Sequence, residues 1–199
     1  MTDEINITAH STVVLNAFNE LCSRAYSDWC IHKAIFSDNP RRKELEKSIA
    51  GHGLEHFSIL SQESILLQIA KLHDPAIQQG HVTLGVEYMV RFGGWDKDTE
   101  ETLQKLKQGL DDLAAKIRPA RHKVLSHNDL ETFLSGATLG AFPDGEDDKH
   151  FKTLQEFADV INFAVIGEKR PFRENAARIS GGLLWFFRED ACKNQPIMI

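Results

Sequence analysis

Apolar residues recur every three or four positions along almost the whole chain, and no segment alternates apolar and polar residues with the Val, Ile and Thr enrichment of a half-buried strand. That spacing restricts the fold to the all-α class. A chain of 199 residues with 42% hydrophobic content can bury one full core. No internal repeat, low-complexity tract or interdomain linker interrupts it. The expected architecture is a single-domain helical bundle of six to seven helices over residues 1–199, with 141–199 forming a C-terminal helical pair packed on the bundle.

The spacing of Val14, Ala17, Phe18, Leu21, Ala25 and Trp29 predicts a first helix from Ile7 to Phe36, ended by Asp38-Asn39-Pro40. A short helix is predicted from Arg41 to Ala50, with Gly51 and Gly53 as breakers, and a third from Leu54 to Leu72. His73-Asp74-Pro75 ends that helix, because proline disfavours helical geometry in the residue before it and has no amide to donate. A fourth helix is predicted over Thr83 to Phe92. The longest follows Asp96 and Asp98, with Leu103, Leu106, Leu110, Leu113 and Ile117 on one face and charged residues on the other; Pro119 is expected to kink or break it. Two more helices are predicted, from Lys149 to Ile166 and from Glu174 to Ala191.

Net charge is −6, which excludes the global basic field that drives nonspecific nucleic-acid binding. Any RNA contact must come from a local patch, and Arg118 to Lys123 is one. Cys22, Cys30 and Cys192 are odd in number and sit among apolar residues, as small buried thiols of a reducing compartment do. The N-terminus lacks the basic start and apolar core of a signal peptide, and no apolar run approaches the roughly 20 residues of a membrane span. A cytoplasmic protein without membrane contact is the expectation.

The strongest chemical lead is Arg118-Pro119-Ala120-Arg121-His122-Lys123-Val124-Leu125-Ser126-His127-Asn128-Asp129. Arg121 and His127, six apart, would be offset by about 9 Å and about 120° on a straight helix and could not grip one phosphate. Asn128 with Glu131 three residues on reads as a capping box, so a helix break between the pair places His127 at a helix N-terminus. Unpaired amides and the positive dipole end there suit an anion, and Arg121 adds charge and directional donors. An Arg and a His beside a ribose 2′-hydroxyl suffice for RNA cleavage without metal: the imidazole moves a proton, the guanidinium stabilises charge on the phosphorane-like transition state. The spacing by itself equally allows a surface arginine and a capping histidine.

Arg121 to Asp129 resembles the signature of the HEPN superfamily, in which Arg, four to six residues and then His mark small all-α domains. Leu66-Leu67-Gln68-Ile69-Ala70-Lys71-Leu72-His73-Asp74-Pro75 resembles the helix end that precedes this motif in the abortive-infection branch of AbiU type. The resemblance implies a helical bundle that dimerises, with Arg121 and His127 of both subunits lining one cleft. In active members that cleft is a metal-independent endoribonuclease of phage-defence or toxin–antitoxin systems. By position, Arg121 and His127 would be the catalytic pair, Arg118, His122, Lys123 and Asn128 would bind RNA phosphate, and no metal or cofactor is implied. RNA, a second copy and an antitoxin are the partners it suggests. Many active members place Asn or Asp directly after the Arg, where this chain has His122, and some members bind RNA, nucleotide or a partner protein without cutting. Both an enzyme and a non-catalytic helical dimer therefore remain open.

His52-Gly53-Leu54-Glu55-His56 spells the pattern of inverted zinc peptidases, but the glycines weaken a presenting helix and nothing else in the chain supports a peptidase. His73, Asp74 and His81 straddle a proline turn without regular ligand spacing and read as helix termination. Trp29, Trp95 and Trp185 are expected in packing roles, and Gly181 to Phe187 as a dimer contact or a buried last helix.

Overall fold

The computed structural model describes residues 11–37, 43, 47, 51–120 and 145–186. Among them are six α-helices and one two-stranded hairpin, so the fold is all-α as the spacing requires. The helices are α1 (Thr12–His32), α2 (Gly51–Leu72), α3 (Val86–Arg91), α4 (Lys97–Ala120), α5 (Glu146–Ile166) and α6 (Phe172–Phe186). The chain divides into two compact units, Met1–Arg24 with Leu66–Arg170 and Ala25–Ile65 with Pro171–Ile199. The last two helices accordingly fall in different units.

The first unit is built on α4 and α5. Leu103, Leu110 and Leu113 on α4 and Phe151, Leu154 and Phe157 on α5 are buried almost completely. Fully burying side chains of this size stabilises by about 1.5–3 kcal/mol each before the entropy cost of ordering them. Phe18 of α1 meets Phe157 edge to face at 6.0 Å. Beside this contact Asn19 and Asn162, both fully buried, exchange amide hydrogen bonds of 2.8 and 2.9 Å.

Asp96 starts α4 by accepting from the Thr99 amide at 3.0 Å and the Thr99 hydroxyl at 2.7 Å. Those bonds hold its carboxyl below the usual carboxylate range. Glu146, Asp147 and Asp148 put negative charge in the first turn of α5, against the positive end of its dipole. Gly167 ends α5 in the left-handed region (φ 74°), its amide donating to the Phe163 carbonyl at 3.0 Å, a conformation that favours a residue without Cβ. Lys116 pairs with Glu146 at 3.2 Å, so the chain leaves α4 and re-enters α5 at the same end of an antiparallel pair.

His73-Asp74-Pro75 ends α2 as predicted, the His73 amide donating to the Ile69 and Ala70 carbonyls at 3.2 Å. The chain then forms a hairpin that the spacing does not show. Ile77–Gln78 pairs antiparallel with His81–Val82 around Gln79 (φ 51°) and Gly80 (φ 82°), the two left-handed residues of a type I′ turn. The predicted helix from Thr83 starts only at Val86, because Gly85 lies against the end of α2. A Cβ there would stand 2.6 Å from the Leu72 carbonyl oxygen.

In the second unit α1 passes into a π-helical turn, Lys33–Ser37, that buries Ala34, Ile35 and Phe36. Three consecutive residues of an α-helix fan over about 200°, and a wider turn brings them closer to one face. Tyr26 meets Trp29 edge to face at 5.5 Å and Phe172 at 6.4 Å, while Phe36 meets Phe57 at 6.0 Å. His32 Nδ1 lies 2.7 Å from Ser61 Oγ, whose hydroxyl donates to the Ser58 carbonyl; the imidazole is therefore the donor.

Two sequence expectations need correction. The third helix starts at Gly51 rather than Leu54 and runs through Gly53, which therefore does not act as a breaker; a Cβ there would face open space, and glycine costs only propensity. Pro119 does not end the long helix before it, since α4 continues to Ala120. The predicted helix over residues 41–50 lies outside the described residues except for Lys43 and Lys47.

Candidate functional site

Arg121, His122, Lys123, His127 and Asn128 lie outside the described residues, and Arg118 is described only as backbone in the last turn of α4. The structure defines what leads to them. Helix α4 delivers the chain to Ala120, one residue before Arg121, and the Lys116–Glu146 pair fixes where α5 resumes.

Polar contacts join the end of α2 to the middle of α4. His73, whose side chain is only 3% exposed, places Nδ1 3.0 Å from Asp111 Oδ1, and Lys107 donates to the other oxygen of the same carboxylate. Partial burial opposes ionisation of Asp111, but the hydrogen bonds and charges of His73 and Lys107 outweigh it and hold the carboxyl below its usual range. The imidazole of His150, from the first turns of α5, lies 5.6 Å from that of His73, centroid to centroid, with the planes 54° apart. Burial and the charge His73 carries when protonated push the pKa of His150 down to about 3, so it is neutral at pH 7. Helix termination, the sequence reading of His73, is correct but incomplete: its side chain turns inward to a partner on another helix.

The histidine pattern at 52–56 is placed quite differently. His52 and His56 are both exposed at the start of α2, with His52 Nδ1 3.9 Å from Glu55 Oε2. His81 is exposed in the hairpin. No three His, Cys, Asp or Glu side chains converge on one metal position among the described residues. Burial pushes the Cys22 thiol up, so it is an inert core residue rather than a nucleophile. Trp95 packs over Gly93 and donates to the Met89 carbonyl at 2.8 Å, a structural role.

A groove of about 640 Å³ opens at the opposite end of the α4–α5 pair from Ala120, between the start of α4 and the last turns of α5. Asp96, Asp98, Glu156 and Asp159 line it against Lys169 alone. That charge balance disfavours a polyanion.

The six helices and one hairpin among the described residues are consistent with an all-α, HEPN-like domain. More specifically, it belongs to the HEPN AbiU2 family, whose profile matches residues 11–179. That family associates the chain with abortive-infection HEPN proteins. No curated protein and no solved structure matches it. No helix among the described residues is long and apolar enough to cross a membrane.

Proposed function

We propose that this protein is a metal-independent endoribonuclease of the HEPN type, acting in phage defence or as a toxin, with Arg121 and His127 as its catalytic pair. The observation that carries the reading is the family match over residues 11–179, which spans both residues. In this reading His127 moves the proton of the 2′-hydroxyl or of the leaving oxygen, and Arg121 holds the scissile phosphate and neutralises its developing charge. Arg118, His122, Lys123 and Asn128 supply phosphate contacts, a local patch on a chain of net charge −6. Two copies meet so that both pairs line one cleft, and an antitoxin restrains the cut.

His122, where many active relatives have Asn or Asp, favours a second reading: a dimer that binds RNA, nucleotide or a partner protein through the same cleft without cutting. Incubation of purified protein with total RNA in EDTA separates the two. The nuclease reading expects cleavage that falls by about a hundred-fold or more in both Arg121→Ala and His127→Ala. Absence of cleavage, or equal cleavage by the variants, overturns it. Retained binding to labelled RNA at low salt would then support the second reading.

A further inference from the structure

Helix α5 carries two stripes. Leu154, Phe157, Ala158 and Ile161 are buried in the core of the first unit. Glu156, Asp159, Val160, Phe163 and Ala164, at helical positions i, i+3, i+4, i+7 and i+8, form a second face that lines the groove opening against Trp95 and the start of α4. Along this face the charge comes first and the apolar surface after it. Phe163 leaves 62% of its surface in water, and Ile166, one turn on, leaves 48%.

Charge, apolar surface and length together set what such a groove takes. Its lining residues bring four carboxylates against one ammonium, which repels phosphate and favours a cationic partner. Asp96 is spent on capping α4, and Asp159 accepts from the Gln155 amide at 2.9 Å. Asp98 and Glu156, both exposed, stand at the rim for an incoming cation. A small polycation would use those carboxylates and leave Phe163 wet, whereas apolar side chains cover an aromatic ring and gain from its burial. From Glu156 to Ala164 the helix rises about 12 Å, the length of two helical turns. Both walls are helical and satisfy their own backbone, so an extended segment has no strand to pair with here. A helix laid in the groove packs as a third member and offers apolar anchors at i, i+3 or i+4, and i+7.

We propose that the groove between the start of α4 and the last turns of α5 binds a basic amphipathic helix of a partner protein. Its apolar residues cover Trp95, Val160 and Phe163, and its lysines or arginines pair with Asp98 and Glu156. The docking site uses neither Arg121 nor His127 and is independent of the ribonuclease reading.

The probe is a fluorescein-labelled helical peptide of about twelve residues, a little over three turns, with leucines at i, i+3, i+4 and i+7 and lysines flanking them. It is titrated by anisotropy with the full-length protein at low salt. Saturable binding is expected, weakened at least about ten-fold by Phe163→Ser and by the pair Asp98→Lys, Glu156→Lys. All three positions are exposed, so the variants should keep the wild-type circular dichroism. Glu20→Lys, Asp112→Lys makes the same charge change outside the groove and should leave binding nearly intact. A peptide of equal charge with alanine for leucine should bind at least about ten-fold more weakly. Absence of binding overturns the proposal, and so does equal weakening by the two charge-reversed pairs, which makes net charge the cause. Equal binding of the alanine peptide, or indifference to Phe163→Ser, overturns it in favour of a simple polycation site. A mass that rises with concentration in sedimentation of the protein alone, and is lost in Phe163→Ser, makes a second copy the occupant and overturns it as well.

Discussion

The first unit buries two pairs of polar side chains, and they are solved in opposite ways. Asn19 and Asn162 exchange two amide hydrogen bonds, and Asn162 also donates to the Ala158 carbonyl at 2.7 Å. His73 and His150 meet ring to ring, and among the described residues only one of their four nitrogens has a hydrogen-bond partner, His73 Nδ1 with Asp111. The asparagine pair is self-contained: it fixes the register of α1 on α5 and asks for nothing more. The histidine pair is held from one side only, by Asp111. A polar pair closed on itself is an element of fold specificity, whereas a buried imidazole held from one side costs stability when it must take up a proton.

Acid should separate the two pairs most sharply. Burial pushes the pKa of His150 down to about 3 in the folded chain against 6.5 for the ordinary group, so the unfolded chain takes up the proton first as pH falls. The stability tied to this group is whole above pH 6.5 and declines towards pH 3. The slope approaches about 1.4 kcal/mol per pH unit once the unfolded group is protonated, which amounts to about 2 kcal/mol between pH 6.5 and 4.5. Unfolding free energies of wild type and His150→Leu from urea titrations should diverge by that amount over this range, and parallel curves would show that His150 takes its proton as readily folded as unfolded.

Asn162→Leu comes next, because it leaves the buried Asn19 amide without a partner, at a cost of about 2 kcal/mol that is independent of pH. The double change Asn19→Leu, Asn162→Leu should recover part of that loss, since no orphan remains. A double variant worse than the single would mean that shape, and not hydrogen bonding, governs the contact.

The two pairs were also unequally legible in the sequence. Helical spacing marks Phe18, Phe157 and the residues around them as core, and α4 was readable from Asp96 to Ile117 because its apolar stripe is narrow and its other face charged. Asp111 carries no such mark. It lies beside Asp112 on the charged face of α4, and periodicity does not say which of the two a buried histidine will reach. His150 sits one residue before Phe151 on the buried face of α5, and spacing alone shows it only as a core position. The pattern at His52-Gly53-Leu54-Glu55-His56 misleads in the other direction. Its ligand spacing is good, yet both histidines face solvent, because spacing along a helix says nothing about what stands opposite. The hairpin at Ile77–Gln78 and His81–Val82 escapes periodicity because its strands are two residues long and exposed. The Arg121 to His127 segment was found through its motif, and the match over residues 11–179 supports the family to which that motif led.

The smaller effects probe how tightly the histidine pair is held from outside. Asp111→Leu removes the acceptor of His73 Nδ1 and adds an orphan to the interior, with an expected loss of about 1.5 kcal/mol. Lys107→Met should cost less, at most about 1 kcal/mol, because the ammonium meets a carboxylate that is 45% exposed and is screened by solvent. Its effect should shrink further in high salt, while that of Asp111→Leu should not, since a buried imidazole without an acceptor is not repaired by ions in solution. Equal losses in the two variants would mean that Asp111 matters as half of an ion pair on α4. Unequal losses in the stated order make it the residue that orients His73, the role that separates the open pair from the closed one.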